Sequence, residues 1–158
     1  VVGLGQTIPS LAVLALVMSY LGIGAKTAIF ALFVYSVLPI ARNTLAGITA
    51  VPPSLIDAAK GMGMPPARIL WSVEIPNAMK VMLTGFRVAL VINIGTAALS
   101  YLIGGGGLGD LVFTGINMQQ NDTLLAGAVP ITLLALLADY LCERLGYVLV
   151  PRGLRLEQ

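Results

Sequence analysis

Four long apolar stretches, separated by short polar segments, dominate the pattern of the 158-residue chain. They cover residues 8–24, 27–48, 79–103 and 123–150. A helix needs about 17 to 25 mostly apolar residues to cross a bilayer, so each stretch predicts a transmembrane helix. Four such stretches in so short a chain leave little to form a polar exterior, which disfavours the alternative of buried helices in a soluble protein.

Composition supports a membrane protein and excludes several other classes. Hydrophobic residues make up 58% of the chain and charged residues 10%, whereas ordinary soluble domains have about 45 to 50% and about 25%. With a net charge of only +2, no basic stripe is available for nucleic acid. Cys142 is the single cysteine and histidine is absent, which argues against a disulfide framework or a cysteine metal cluster.

The basic residues predict how the chain is oriented, because positive charge concentrates on the cytoplasmic side of membrane proteins. Seven of the nine flank the loop between the second and third stretches or follow the fourth: Arg42, Lys60, Arg68, Lys80, Arg144, Arg152 and Arg155. Segment 104–122, on the other side, has two acids and no base. We therefore expect a cytoplasmic C-terminus. The chain starts at Val1 without a signal-peptide pattern, so we also expect it to be incomplete at its N-terminus.

Residues 50–78, between the second and third stretches, have an amphipathic and proline-bounded pattern. Val51-Pro52-Pro53-Ser54 predicts a helix start, because proline suits the first turn of a helix. Gly61 and Gly63 allow a sharp exit from that helix. Pro65-Pro66 then predicts a second short helix, and Ile75-Pro76 is expected to close it, because proline disfavours helical geometry in the residue before it.

The same segment resembles the signature of the cytoplasmic loop in binding-protein-dependent importer permeases, EAA, three residues, G, nine residues, I, one residue, LP. The chain offers Asp57-Ala58-Ala59, Gly63, Val73 and Ile75-Pro76 with every spacing kept. Asp replaces Glu, Val replaces Ile and Ile replaces Leu, and each change keeps the charge or the apolar character.

That resemblance implies that the loop inserts into a groove on a separate ATPase and transmits its movements to the pore. Ala58 and Ala59 would let the partner approach closely, while Met62 and Met64 would adapt to its surface. The alternative is an amphipathic interfacial hairpin without a partner. The candidate coupling residues are Asp57, Ala58, Ala59, Lys60, Met62, Gly63, Met64, Ile75 and Pro76.

Three flanking stretches, QTIPSLAVLALVMSYLGIG, LFVYSVLPIARNTLAGI and LSYLIGGGGLGDLVFTGI, resemble permeases for glycine betaine, choline and related quaternary amines. The resemblance implies an all-α polytopic membrane protein with a helical core like that of methionine-importer permeases, in which four transmembrane helices of an expected five or more are present. Residues 1–158 would form a single permease domain that contains the coupling loop 50–78.

The implied machine imports a small zwitterionic or quaternary-amine osmoprotectant through the plasma (inner) membrane of a prokaryote. Its other parts would be two ATPase subunits that hold ATP and Mg, a second identical or homologous permease, and an external substrate-binding protein. The chain itself would bind no cofactor and catalyse no reaction. The alternatives are the same machine with methionine or another zwitterion as cargo, a membrane enzyme, and a channel or secondary transporter without an ATPase.

A glycine-rich segment follows the third stretch and satisfies G-x-G-x-x-G at Gly104, Gly106 and Gly109. A dinucleotide site would need a strand before this motif in a soluble unit, so we set that function aside. Two alternatives stay open for the residues that follow: a connecting loop, or a short re-entrant or interfacial helix. The apolar positions of such a helix would be Leu108, Leu111, Val112 and Ile116.

Ionisable and polar residues inside the stretches suggest further candidate sites. Arg87 and Asp139 lie at comparable predicted depths, so they are candidates for an ion pair between helices, although Arg87 could also snorkel to the inner surface. Asn93, Thr96 and Ser100 recur at helical spacing and form a polar stripe. This stripe could line the pathway of a polar solute or hold helices together.

Overall fold

The structure is a computed structural model that describes residues 9–149, with side chains as far as Gly146. The regular elements in this part of the chain are all helical, which confirms the all-α prediction. The expectation that the N-terminus is incomplete concerns residues outside the described range. Arg152 and Arg155 also lie outside it. The helices are α1 (Ser10–Leu21), α2 (Ala25–Thr49), α3 (Pro53–Gly61), α4 (Pro66–Ile69), α5 (Ile75–Ala97), α6 (Leu108–Asn117) and α7 (Asn121–Leu149).

Three helical segments among the described residues are long and apolar enough to cross a membrane: Ala25–Thr49, Pro66–Ile103 and Asn121–Gly146. They correspond to the second, third and fourth predicted stretches. The first stretch forms α1, whose 12 residues span about 18 Å, less than the roughly 30 Å of a hydrocarbon core. The described residues therefore contain three helices of spanning length and a shorter apolar helix at the position of the first predicted stretch.

The expected helix end at Ile75-Pro76 is wrong. The chain stays helical from Pro66 to Ile103, through a π-helical turn over Leu70–Glu74 and a final 3₁₀ segment over Ala98–Ile103. Ile75 itself has helical angles, φ −60° and ψ −47°. Proline disrupts an α-helix because it lacks an N–H and its ring collides with the carbonyl one turn earlier. The wider π turn just before Pro76 relieves that conflict, so the helix continues.

Small residues let α2 and α5 pack closely, as they often do between membrane helices. A Cβ atom added to Gly47 would lie 3.0 Å from the carbonyl oxygen of Ala78, and one added to Gly85 would lie 2.4 Å from Cβ of Asn43. Either position would hold a side chain only if the two helices moved apart. The pair α2 and α5 is thus a closely fitted, antiparallel unit.

Helix α6 joins the end of α5 to α7 through equally close contacts. A Cβ atom on Gly109 would lie 2.2 Å from the carbonyl oxygen of Ala98, and one on Gly115 would lie 2.4 Å from the backbone nitrogen of Leu124. The rings of Tyr101 and Phe113 stack with their centroids 5.2 Å apart. Of the two alternatives for this segment, the structure has the short helix.

Helix α1 packs on α2 beside the end of the long α5 segment. A buried cluster includes Leu14, Val17, Ala28, Ala31 and Ile103. The backbone N–H of Gly24 donates to the carbonyl oxygen of Ile103 at 2.8 Å. The α1–α2 turn and the end of α5 therefore lie at one end of the molecule, and α3 and α4 lie at the other.

Large apolar side chains cover much of the outer surface. Leu16, Phe33 and Leu133 are each at least 60% exposed, and many other large apolar side chains are exposed as well. Such a surface is unfavourable in water and suits a lipid environment. The chain is thus a multi-pass membrane protein.

Candidate functional site

The predicted coupling segment forms a hairpin of α3 and α4, which we call the α3–α4 hairpin (residues 53–69). Pro53 occupies the first turn of α3, which confirms the predicted helix start. The chain reverses at Gly63, whose φ of +76° is a conformation that glycine adopts readily. Gly61 is the last residue of α3 and has no such angle, so only Gly63 makes the predicted sharp exit.

The candidate coupling residues divide between the surface and the interior of this hairpin. Five of them are exposed: Asp57, Ala58, Lys60, Met62 and Gly63. Met64 is half-buried, and Ile75 and Pro76 lie in the first turn of α5. Ala59 is 1% exposed, so its side chain is covered by neighbouring residues of the chain. Its role in letting a partner approach closely stays a prediction.

The exposed residues differ in what they could contribute to docking. Asp57 and Lys60 form an ion pair at 3.6 Å with side chains 72% and 64% exposed, and such surface pairs stabilise a protein by about 1 kcal/mol at most. Met62, in contrast, is 69% exposed and offers apolar area to a partner. The apolar residues, more than this ion pair, are suited to hold a partner on the hairpin.

Trp71 extends this apolar surface, and the sequence analysis missed it. It lies on the π turn and is 71% exposed. Exposed tryptophan is unusual on soluble surfaces but frequent at interfaces and at the membrane surface. A signal was available, since Trp71 is the only tryptophan of the chain and falls inside the predicted loop.

The structure brings Arg87 of α5 and Asp139 of α7 together. Nε and Nη2 of the guanidinium donate to the two carboxylate oxygens, a bidentate arrangement. Nη2 also donates to Oε2 of Glu143 at 3.2 Å. The predicted pair consisted of Arg87 and Asp139 without Glu143. Its position one helical turn after Asp139 could have indicated it, since side chains four residues apart share a helix face.

The three residues of the polar stripe differ in the hydrogen bonds of their side chains. The hydroxyl of Thr96 donates to the carbonyl of Ile92 within α5, at 2.8 Å. The hydroxyl of Ser100 donates to the carbonyl of Gly106 in the following loop, at 3.2 Å. The side-chain oxygen of Asn93 is buried without a hydrogen-bond partner among the described residues.

Thr96 and Ser100 also line a cleft between α1, α2 and α5, together with apolar residues and Tyr35. Their hydroxyl hydrogen bonds stay within α5 and the loop that follows it. A role in lining a solute pathway stays a prediction. Within residues 9–149, no three acidic or cysteine side chains group so that they could hold a metal ion.

Comparison with known proteins gives consistent matches along the chain. Residues 1–152 match the family model described as binding-protein-dependent transport system inner membrane component. The carnitine transport permease protein OpuCB of Listeria monocytogenes is 44% identical over 98% of this chain, and the choline transport system permease protein OpuBB of Bacillus subtilis is 46% identical over 98%. The osmoprotectant import permease protein OsmY of Salmonella typhimurium is 51% identical over 93%.

The chain spans 71% of the length of the first two relatives and 62% of the third. A solved structure of the MetNI methionine ABC transporter in an inward-facing conformation has the same fold, with a TM-score of 0.83 over 95% of this chain and 73% of that one. Its sequence identity is 24%, so this match speaks for the fold alone. With the family match over nearly the whole chain, the protein belongs to the inner membrane components of binding-protein-dependent transport systems.

Proposed function

We propose that the chain is the permease subunit of an ATP-binding-cassette importer for a small quaternary-amine osmoprotectant such as glycine betaine, carnitine or choline. The observation that carries this proposal is the 44 to 51% identity to three permeases whose names give carnitine, choline or osmoprotectants as cargo. The α3–α4 hairpin adds independent support, because it offers an exposed apolar surface at one end of the molecule.

In this proposal, two ATPase subunits bind ATP and Mg and dock on the hairpins of two permeases. The second permease is identical or homologous to this chain, and an external binding protein delivers the cargo. The helix from Pro66 to Ile103 contains the second arm of the hairpin and a membrane span without a break. A displacement of the hairpin by the ATPases would therefore move the span with it, and the pore would alternate between two open states.

The external binding protein, rather than the permease, would select the cargo. Quaternary ammonium groups are usually recognised by cages of aromatic rings. The cleft beside Thr96 and Ser100 has one aromatic side chain, Tyr35, in an otherwise mostly apolar lining. That lining suits a pathway that conducts a delivered solute more than a site that discriminates between solutes.

The test is uptake by the whole importer in proteoliposomes, reconstituted from this chain, its ATPase and its binding protein. We expect ATP-dependent accumulation of radiolabelled choline, carnitine or glycine betaine, reduced by an excess of the other two compounds. Methionine serves as the comparison cargo, because a methionine importer has the same fold. Uptake of methionine alone would refute the cargo, and accumulation without any ATPase would refute the importer class.

A further inference from the structure

Arg87, Asp139 and Glu143 form a small ionic cluster between α5 and α7. One guanidinium bridges two carboxylates that lie a single turn apart on α7. Two acids at this spacing repel each other on an isolated helix, so their coexistence depends on the arginine of the neighbouring helix. The cluster therefore links the two helices directly.

Ionised groups inside a hydrocarbon core are costly unless they meet water, an opposite charge or another protein. Arg87 precedes Ile103 by 16 residues, or about 24 Å of helix, so the cluster lies in the half of the span nearer the α3–α4 hairpin. The side chains of Arg87, Asp139 and Glu143 are 34%, 35% and 44% exposed. They thus have room to separate and to pair again.

Helix α7 packs against both α6 and α5, and its closest backbone contacts to α6 lie in the half that follows Asn121. A Cβ atom on Gly127 would lie 2.9 Å from the carbonyl oxygen of Leu108, so α6 and α7 fit tightly there. Helix α6 in turn fits tightly against the outer end of α5 at Gly109. On the inner half of α7, a Cβ atom on Gly146 would meet nothing within 4 Å. The contacts with α6 would act as the fixed end of α7, and the ionic cluster lies towards the other end, where it connects α7 to α5.

We propose that Arg87, Asp139 and Glu143 form a releasable ionic clamp that holds the cytoplasmic half of α7 against α5. Glu143 is the second acceptor: when the helices shift along each other, the guanidinium moves from Asp139 to Glu143 instead of losing its partner. Because α5 continues into the α3–α4 hairpin, docking of an ATPase would act on this clamp. Only the link between this movement and the ATPase rests on the proposed permease function; the ionic clamp itself does not.

Cys142 is a natural probe of the clamp, since it lies on α7 between the two acids and is half-buried. As the only cysteine of the chain, it can be alkylated without engineering. We expect maleimide to react several-fold faster with Cys142 in Arg87→Gln than in the wild-type importer. Asp139→Asn should also react faster, because both variants free the inner half of α7.

A faster reaction in both variants distinguishes a movement of α7 from a direct electrostatic effect on the thiol of Cys142. Loss of a nearby positive charge and loss of a nearby negative charge would change thiolate reactivity in opposite directions. The matched control is Arg144→Gln, because Arg144 contacts Tyr140 on its own helix, with Nε donating to the hydroxyl at 2.9 Å. Its alkylation rate should not exceed that of the wild type, because loss of this positive charge disfavours the thiolate and frees no contact between helices.

The role of Glu143 is tested by comparing the nucleotide-free importer with the vanadate-trapped importer. Glu143→Gln should react several-fold faster when trapped than without nucleotide, whereas the wild type should show no such increase; comparing the two states of one variant cancels the direct effect of the lost charge on the thiol. The double variant Arg87→Asp with Asp139→Arg should restore slow alkylation, which also controls for variants that fail to fold. Wild-type rates in Arg87→Gln, or no rescue by the double variant, would overturn the clamp. These rates do not depend on cargo, so a failed choline uptake would leave them interpretable.

Discussion

Gly85 and Gly95 lie on the same helix, but only Gly85 faces a close neighbour. A Cβ atom at Gly85 would lie 2.4 Å from Cβ of Asn43, whereas one at Gly95 would meet nothing within 4 Å. Because Cβ of Asn43 cannot rotate away, α2 itself would have to move. The pair gives a matched test of whether close helix approach stabilises the fold.

We expect Gly85→Ala to lower the free energy of unfolding by about 1 to 3 kcal/mol, the usual cost of overpacking. Gly95→Ala should leave stability unchanged or raise it slightly, since alanine favours helix more than glycine does. Thermal unfolding of the purified chain in detergent measures both. Equal melting temperatures for the two variants would show that the contact between α2 and α5 can relax.

Gly63 provides a second test at the residue scale, this time of coupling. Its φ of +76° suits glycine and is tolerated by asparagine, and its exposed position lies at the tip of the α3–α4 hairpin. Gly63→Arg should leave the chain inserted in the membrane but uncouple ATP hydrolysis from uptake. Gly63→Asn should keep the turn and most of the coupled uptake. Normal uptake by Gly63→Arg in the reconstituted importer would contradict a docking role for the hairpin.

At the scale of elements, local patterns predicted α3 better than they predicted its surroundings. The start of α3 depends on prolines that act within one turn, so it could be derived from sequence. Ile75-Pro76 was misread because the rule for the residue before proline assumes α-helical geometry, and the π turn changes that geometry. A π turn of five residues leaves no periodic signal that the sequence analysis could use.

The π turn also sets the direction in which the hairpin points relative to α5. We expect deletion of Ser72, an exposed residue of this turn, to remove the π turn and to restore the clash of the Pro76 ring with the carbonyl one turn earlier, so that the hairpin points in a different direction from α5. The chain should still insert, but the ATPase should no longer co-purify with it. Ser72→Ala is the control and should retain the ATPase. If the deletion variant kept both its ATPase and its uptake, the orientation of the hairpin would be unimportant.

At the scale of the whole molecule, charge and hydropathy predicted the arrangement of helices but only part of their contacts. The pairing of Arg87 with Asp139 could be predicted from the sequence because their predicted depths in the membrane agree. The involvement of Glu143 depends on how α7 is rotated against α5, and that rotation comes from packing at α6. Likewise, the burial of Ala59 depends on how α3 packs against the residues that follow it in the chain.

The orientation of the molecule in the membrane can be tested with single cysteines in a Cys142→Ala background. We expect Met118→Cys, in the exposed turn between α6 and α7, to react with an impermeant maleimide on intact cells. Lys60→Cys, on the hairpin, should react only after the membrane is permeabilised, because the basic residues predict that this end is cytoplasmic. The reverse labelling pattern would invert the proposed topology.

The unbroken helix from Pro66 to Ile103 has a mechanical consequence. Its 38 residues measure about 57 Å, nearly twice the roughly 30 Å of a hydrocarbon core. A flexible connection would dissipate a push on the α3–α4 hairpin as bending of the loop. A helix without a break instead passes the push along its backbone hydrogen bonds, so that the span tilts or slides when the helix moves at Trp71.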